Sequence, residues 1–416
     1  MLDHRVLNAK RILADLITQI SSSVEGIERL TIIGQLIDKQ PEEIRHQLRL
    51  AVEFFLLTME SKEASDLDFG SVGSNGMVWY RIYGKKAPDP EMGNFTVDET
   101  DLLLLNLLMQ VERQDLWNRR QLDFSYQLPG PTGRKRFRAT MYLELNHLAM
   151  NLRRINTEVR PFSGLGLHRN VARLMSLEYE KRGLILITGI TGSGKSATLD
   201  TIIDANNRHS QGHIVVIADP LEYIHTSNKC AIRHREVGRD VPSFKEGTIQ
   251  ALRQDPDIIV IGEMRDPDTI ATVLEAADSG HKVFTTLHTS SAVESIDRIL
   301  GESMPLEQTR IRERLASVLT CVISQKLVPT LNGKLVLAKE VMVANVPVRA
   351  AIRNNHTDEI YQIIQQCSNE GMITMEQDLA RLHKNNTISY EQALNNANNK
   401  KRFEDLVKYE RRLVQV

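Results

Sequence analysis

The spacing of apolar positions changes character along this 416-residue chain. Over residues 1–60 they recur at intervals near three and four, most clearly in Glu43–Leu56. Pro41 followed by two glutamates supplies a helix start there, so a helical N-terminal extension is expected. From Ser65 the pattern turns to alternation, in Asp66-Leu67-Asp68-Phe69 and again in Met77–Tyr83, which Gly84 ends. This is the period of a strand. A helix is predicted near Thr100–Trp117, then strands at Leu122–Tyr126, Arg136–Glu144 and Ala149–Ile155, with a Pro129-Gly130-Pro131 turn among them. Residues 61–160 therefore read as a small α/β domain, and 161–182, which begin Pro161-Phe162-Ser163-Gly164-Leu165-Gly166, as a linker and lead-in.

Across residues 183–345 short apolar runs at 184–188, 213–217, 257–261 and 282–286 alternate with helical stretches. Runs of this kind are what strands buried on both faces show, and the alternation predicts an α/β fold with a parallel, doubly wound sheet. Residues 346–416 read as mainly helical, ending in the mixed-charge tail Lys400–Val416.

Length agrees with this division, since 416 residues correspond to about two to three domains of roughly 150 residues. The 52 basic and 53 acidic residues nearly cancel, so no global field points to nucleic acid, and no nucleic-acid partner is expected. The longest leucine-rich stretch, Leu102 to Met109, is interrupted by Asn106 and falls far short of the ~20 residues that span a bilayer. The start, Met1-Leu2-Asp3-His4-Arg5, carries both charge signs and lacks a signal-peptide core, so membrane association is expected to be peripheral. Three widely spaced cysteines, at 230, 321 and 367, exclude a four-cysteine zinc site and give no disulfide framework.

The chemistry is concentrated after the first of the four apolar runs. Residues 189–196 read Gly-Ile-Thr-Gly-Ser-Gly-Lys-Ser, a complete phosphate-binding loop of the form G-x-x-x-x-G-K-[ST]. Leu184–Ile187 before it reads as a strand and Ala197–Ile203 after it as a helix. That order aims successive N–H groups, and the positive end of a helix, at phosphate. Gly189, Thr191, Gly192, Ser193, Gly194, Lys195, Ser196 and Ala197 are the candidate ATP-binding residues. Lys195 is placed to reach the β- and γ-phosphates, and the Ser196 hydroxyl to ligate Mg²⁺.

Ligands of such sheets sit beyond the carboxyl ends of the strands, and polar clusters border the other apolar runs. Asp219-Pro220-Leu221-Glu222 follows one of them, although a D-P turn that merely stops a strand is the plain alternative. Gly262-Glu263-Met264-Arg265-Asp266 follows another, and a carboxylate emerging there, Glu263, can polarise a water for attack on the γ-phosphate. Ser279-Gly280-His281 and then Leu287-His288-Thr289 flank the last, with His288 a candidate partner for the γ-phosphate or for Glu263.

In order, these elements at residues 189–196, 219–222, 253–266 and 280–289 resemble the motif set of the secretion ATPases of type II and type IV systems. Within that superfamily the likeness is to the PilT-type pilus-retraction branch, and it runs from about Ser65 to about residue 390. The resemblance implies a homohexameric, ATP-driven motor with a PAS-like N-terminal domain and a RecA-like ATPase domain. It would work in the cytoplasm at the inner face of the cytoplasmic membrane, held there by an inner-membrane platform protein. It makes Glu222 the carboxylate of the family's Asp box, with Asp219 beside it. Glu263 becomes the catalytic glutamate of its Walker B element, and His281 and His288 its His box. It also implies phosphate-neutralising arginines from the N-terminal domain, matched here by Arg138 and Arg153, whose planar forks suit the task.

Ala218 stands where the family usually has glutamate, and Thr285 where the retraction branch has glycine. Residues 348–354, Val-Arg-Ala-Ala-Ile-Arg-Asn, only loosely resemble that branch's Ala-Ile-Arg-Asn-Leu-Ile-Arg-Glu element. A retraction motor is thus the leading expectation. A DotB-like ATPase of type IVB secretion or conjugation is the second, and an ATP-binding regulatory subunit with little hydrolysis, favoured by Ala218 alone, the third.

Overall fold

The computed structural model describes residues 2–20, 24–82, 84–130, 133–155 and 159–414. The chain divides into two compact units, residues 1–157 and 158–416.

The first unit is built on an antiparallel sheet. Its strands are β1 (Ala64–Gly70), β2 (Val78–Ile82), β3 (Lys85–Asp89), β4 (Gln121–Gly130), β5 (Gly133–Glu144) and β6 (His147–Arg154), in the order β3-β2-β1-β6-β5-β4. Residue 83 and residues 131–132 of the predicted strand end and turn lie outside the described residues. The amino-terminal segment forms three helices, His4–Ile17, Gly26–Asp38 and Glu42–Ser61. They share one apolar core with the sheet, in which Leu13, Ile33 and Phe55 from the helices meet Phe69, Phe137 and Met150 from the strands. Phe55, Phe69 and Phe95 pack edge to face with ring centroids 5.4–5.8 Å apart, a geometry favoured by the ring quadrupoles.

The helix predicted at Thr100–Trp117 is two helices, Val97–Leu105 and Gln110–Arg119. Asn106 breaks it by donating its side-chain amide to the Arg45 carbonyl at 2.8 Å. Glu112 then reaches back to accept the Met109 N–H, starting a new helix.

The second unit holds a seven-stranded sheet of β7 (Gly183–Thr188), β8 (Gly212–Ala218), β9 (Cys230–Glu236), β10 (Ile258–Ile261), β11 (Lys282–Leu287), β12 (Leu319–Pro329) and β13 (Leu335–Val343). The order is β13-β12-β7-β11-β10-β8-β9, and every pairing is parallel except β12 with β13. Alternate residues of the central strands face two separate cores. Leu184, Leu186, Ile259 and Val283 pack against the helices Pro267–Asp278 and Ala292–Gly301. Ile185, Ile187, Ile258 and Phe284 pack with Leu199 and Ile202 of the helix Lys195–His209.

The predicted linker contains the helix Arg169–Met175. Its end is capped by the buried Lys282, whose ammonium donates to the Leu174 carbonyl at 2.6 Å and the Glu180 carbonyl at 2.7 Å. Beyond β13 the described residues form helices up to Val414. Among the described residues no helix is long and apolar enough to cross a membrane.

Because the first three helices supply core residues to the first sheet, Phe55→Ala should destabilise that unit by about 3–5 kcal/mol. Urea unfolding followed by circular dichroism checks this, and a change below about 1 kcal/mol would show that the packing is not shared.

Candidate nucleotide site

The loop Gly189–Gly194 leaves the carboxyl end of β7 and enters the helix Lys195–His209. Gly189 is obligatory there, because a Cβ would lie 2.5 Å from the Gln325 carbonyl oxygen and 2.4 Å from Ser193 Oγ. Gly194 caps the helix in the left-handed region at φ 86°. The first helical bond of this stretch runs from the Thr198 N–H to the Gly194 carbonyl. The N–H groups of Lys195, Ser196 and Ala197 precede it and stay available to an anion, and Ser196 and Ala197 are exposed. Lys195 folds back over the loop, donating to the carbonyls of Gly189 at 2.8 Å and Ile190 at 3.2 Å. Burial pulls its pKa down, and the carboxylates of Glu263 and Glu222 pull it back up. Both acids therefore stand close enough to act on the ammonium.

Glu263 leaves β10 with one residue between, as its sequence position required. Its Oε1 lies 3.2 Å from Nε2 of His288, and its Oε2 lies 2.8 Å from Nη2 of Arg265. His288 reaches it because β11 runs parallel beside β10 and continues two residues past the Ile261–Thr285 pair, which brings its end level with Glu263. The Thr286 hydroxyl donates to the Gly262 carbonyl at 2.6 Å, tying the two strand ends together. On the far side of β10, β8 ends at Ala218 and delivers Asp219, which is exposed, and Glu222, which is half-buried. The loop, Asp219, Glu222, Glu263 and His288 thus share the carboxyl edge of one sheet.

His281 does not join them. It precedes β11, at the amino edge of the sheet, where its Nδ1 lies 3.2 Å from the Ala276 carbonyl and 3.0 Å from Ser279 Oγ. A six-residue strand separates it from His288, a length of roughly 20 Å, which is too far to touch a nucleotide held by the loop of the same chain. Arg138 and Arg153 lie in the first unit. They are register partners on β5 and β6 and so share one face of that sheet. Arg153 Nε donates to Asp66 Oδ1 at 2.8 Å while the side chain stays 63% exposed.

Gln325 of β12 was not foreseen as a site residue. Its amide donates to the Ser193 carbonyl at 2.9 Å and accepts from the Thr198 hydroxyl at 3.0 Å, so it holds both ends of the loop's second half. The neighbouring Ser324 accepts from Thr188 at 2.8 Å. A polar Ser-Gln pair inside an otherwise apolar strand was the available signal. Glu340 of β13 is likewise buried, and its Oε1 accepts the Ala292 N–H at 2.8 Å, fixing the helix that follows His288. Burial pushes its carboxyl up to about 7.

This geometry defines a P-loop nucleotide-binding protein with the Glu263 carboxylate at the same sheet edge as the loop. Residues 63–412 match the family model described as type II/IV secretion system protein. The chain is 38% identical over 291 residues to the type IV pilus retraction ATPase PilT of Pseudomonas aeruginosa, covering 70% of this chain and 83% of that protein. It is 36% identical over 322 residues to a twitching motility protein of Neisseria gonorrhoeae, covering 77% and 84% respectively. Among solved structures, the pilus retraction motor PilT with bound ADP superposes with a TM-score of 0.76 at 36% identity, over 84% of this chain and 98% of that one. The Legionella pneumophila ATPase DotB superposes with a TM-score of 0.68 at 26% identity, over 83% and 94%. This chain belongs to the type II/IV secretion system ATPase family.

Two outcomes follow from the supports of the loop. Gln325→Ala removes two hydrogen bonds worth about 1 kcal/mol each, and ADP affinity measured calorimetrically should fall about tenfold or more; unchanged affinity would remove Gln325 from the site. For Glu340 the folded state holds the proton more tightly than the unfolded chain, whose carboxyl titrates near 4.5. The stability this contributes is complete below that value and lost as pH rises through about 7. Unfolding of wild type and Glu340→Gln, which stays neutral, should therefore diverge by roughly 3 kcal/mol between acid and mildly alkaline pH, with wild type losing more.

Proposed function

We propose that this chain hydrolyses ATP with Mg²⁺ as one subunit of a homohexameric motor that retracts type IV pili. The observation that carries the reading is the Glu263–His288 pair, 3.2 Å apart at the strand ends beside a complete phosphate loop. The match over most of the length of a pilus retraction ATPase supports the biological role.

In this reading the loop N–H groups and Lys195 hold the β- and γ-phosphates, and Lys195 exchanges its two carbonyl partners for phosphate oxygens. Glu263 Oε1 or Oε2 takes the proton of the attacking water, and His288 and Arg265 fix the carboxylate's direction. The donors present fit Mg²⁺ bound with the nucleotide. Ser196 offers a hydroxyl at the loop's end, with Asp219 and Glu222 on the neighbouring strand end, and among the described residues no His/Cys/Asp/Glu cluster could hold a metal by itself. Bound there, the ion would neutralise charge on the phosphate oxygens. Arg138 and Arg153 supply further neutralising charge to γ-phosphate in the assembled ring, as their match to the family's arginines suggests. An inner-membrane platform protein is the partner, with the ring at the inner face of the cytoplasmic membrane. The likeness to DotB supports a second reading, a motor for type IVB secretion.

Glu263→Gln keeps the side chain's size and loses the base, so turnover should fall ~10²–10⁴-fold while nucleotide affinity holds. Lys195→Ala should instead weaken binding. Steady-state ATPase assays and nucleotide titrations read both, and a Glu263→Gln variant keeping more than about a third of wild-type turnover would remove the catalytic assignment. Deletion of the gene, scored for surface pili, twitching and secretion, separates the two biological readings.

A further inference from the structure

The loop between β8 and β9, residues 219–229, has neither helix nor strand, yet it carries Glu222 into the site. We propose that His225 is a positioning residue that sets the distance between Glu222 and the helix bearing Lys195 and Ser196. The inference rests on the ATPase reading of that site and adds to it a residue with no assigned role.

The geometry is specific. The His225 side chain is 2% exposed, and its Nε2 lies 3.1 Å from Oδ1 of Asp200. Asp200 is four residues beyond Ser196 on one helix, so the two project from the same face, one turn apart. Glu222 is three residues before His225 on the loop. The His225–Asp200 contact therefore joins the segment that presents the acid to the segment that presents the phosphate-binding hydroxyl.

His225 is held by further contacts of its backbone and its ring. The backbone N–H of His225 donates to Nε2 of His234 on β9 at 3.1 Å, and the two rings stack 6.0 Å apart, only 5° from parallel. Tyr223 packs edge-on at 4.5 Å. His234 Nε2 must present a lone pair to accept that bond, and His225 Nε2 must carry the hydrogen that faces Asp200.

The far part of the loop is moored separately, to Asn207 of the same helix. The Asn207 amide donates to the Thr226 carbonyl at 2.8 Å, and its Oδ1 accepts the Asn228 N–H at 2.9 Å. His225→Ala would leave that mooring intact, together with the backbone bond to His234 and the Leu221 N–H bond to Glu236 Oε2, and would remove the side-chain tie between the Glu222 part of the loop and the helix. A displacement of about 1 Å at a reacting group can cost ~10²-fold in rate, so a residue that touches no phosphate can still control turnover.

The test uses His225→Ala, His225→Gln, Asp200→Ala and the Asp200→Ala/His225→Ala double variant of the full chain. His225→Ala should lower kcat about 10–100-fold and leave ADP affinity within about threefold. His225→Gln, whose amide can donate to Asp200, should recover most of that loss. The double variant should be no worse than the single ones, because both remove one contact. Amide hydrogen exchange over residues 220–225 should rise in His225→Ala while that over 226–229 holds.

Wild-type kcat in His225→Ala overturns the inference, as does a loss that Gln does not recover and that falls equally on affinity and thermal stability, which marks a merely structural residue. If wild type hydrolyses no ATP, the ATPase reading fails. The exchange pattern still decides whether His225 orders the Glu222 segment, with uniform protection in His225→Ala counting against it.

Discussion

The site of this protein depends on the burial of β7, β10 and β11 on both faces. All residues of these strands are buried, and their alternate side chains feed two cores, one on each side of the sheet. With no polar face available along their length, polar chemistry can appear only where the strands stop. Parallel pairing then brings the carboxyl ends to one edge, and that edge gathers the phosphate loop, Asp219, Glu222, Glu263 and His288. The same burial makes the edge stiff, because moving one strand end would disturb packing on both sides.

On that frame, a second set of contacts trims the geometry from outside the motifs. Gln325 holds the loop from β12, the Thr286 hydroxyl ties β11 to the Gly262 carbonyl, and Glu340 anchors the helix after His288. Each acts on backbone rather than on another functional side chain. Backbone bonding of this kind fixes where a loop runs and leaves its side chains available for substrate. Lys195 shows the complementary arrangement, since its present partners are carbonyls of its own loop and can be exchanged for phosphate without breaking a tertiary contact.

The first unit follows a different logic. Its sheet is antiparallel and has one buried face, and the three leading helices complete that core. The other face carries polar ladders such as Arg81–Asp66–Arg153, with Arg138 as the register partner of Arg153. Arg153 stays exposed there and Arg138 half-buried, because the apolar core of the unit lies on the opposite side.

What the sequence determined by itself was local. The phosphate loop, the acid after β10 and the apolar runs of the central strands were legible because each signal lies within a few consecutive residues. The helix at Glu43–Leu56 was legible for the same reason. Tertiary structure decided whatever depended on contacts between distant segments. Asn106 ends a helix because the Arg45 carbonyl stands beside it. Gln325 belongs to the site because β12 pairs with β7, well over a hundred residues earlier in the chain. The strands β3 and β9 escaped notice because they carry too many polar residues to show as apolar runs. His281 and His288 lie close in sequence and at opposite edges of the sheet. An extended strand separates its two ends by more than the reach of any side chain, and adjacency along the chain then says nothing about adjacency in the site.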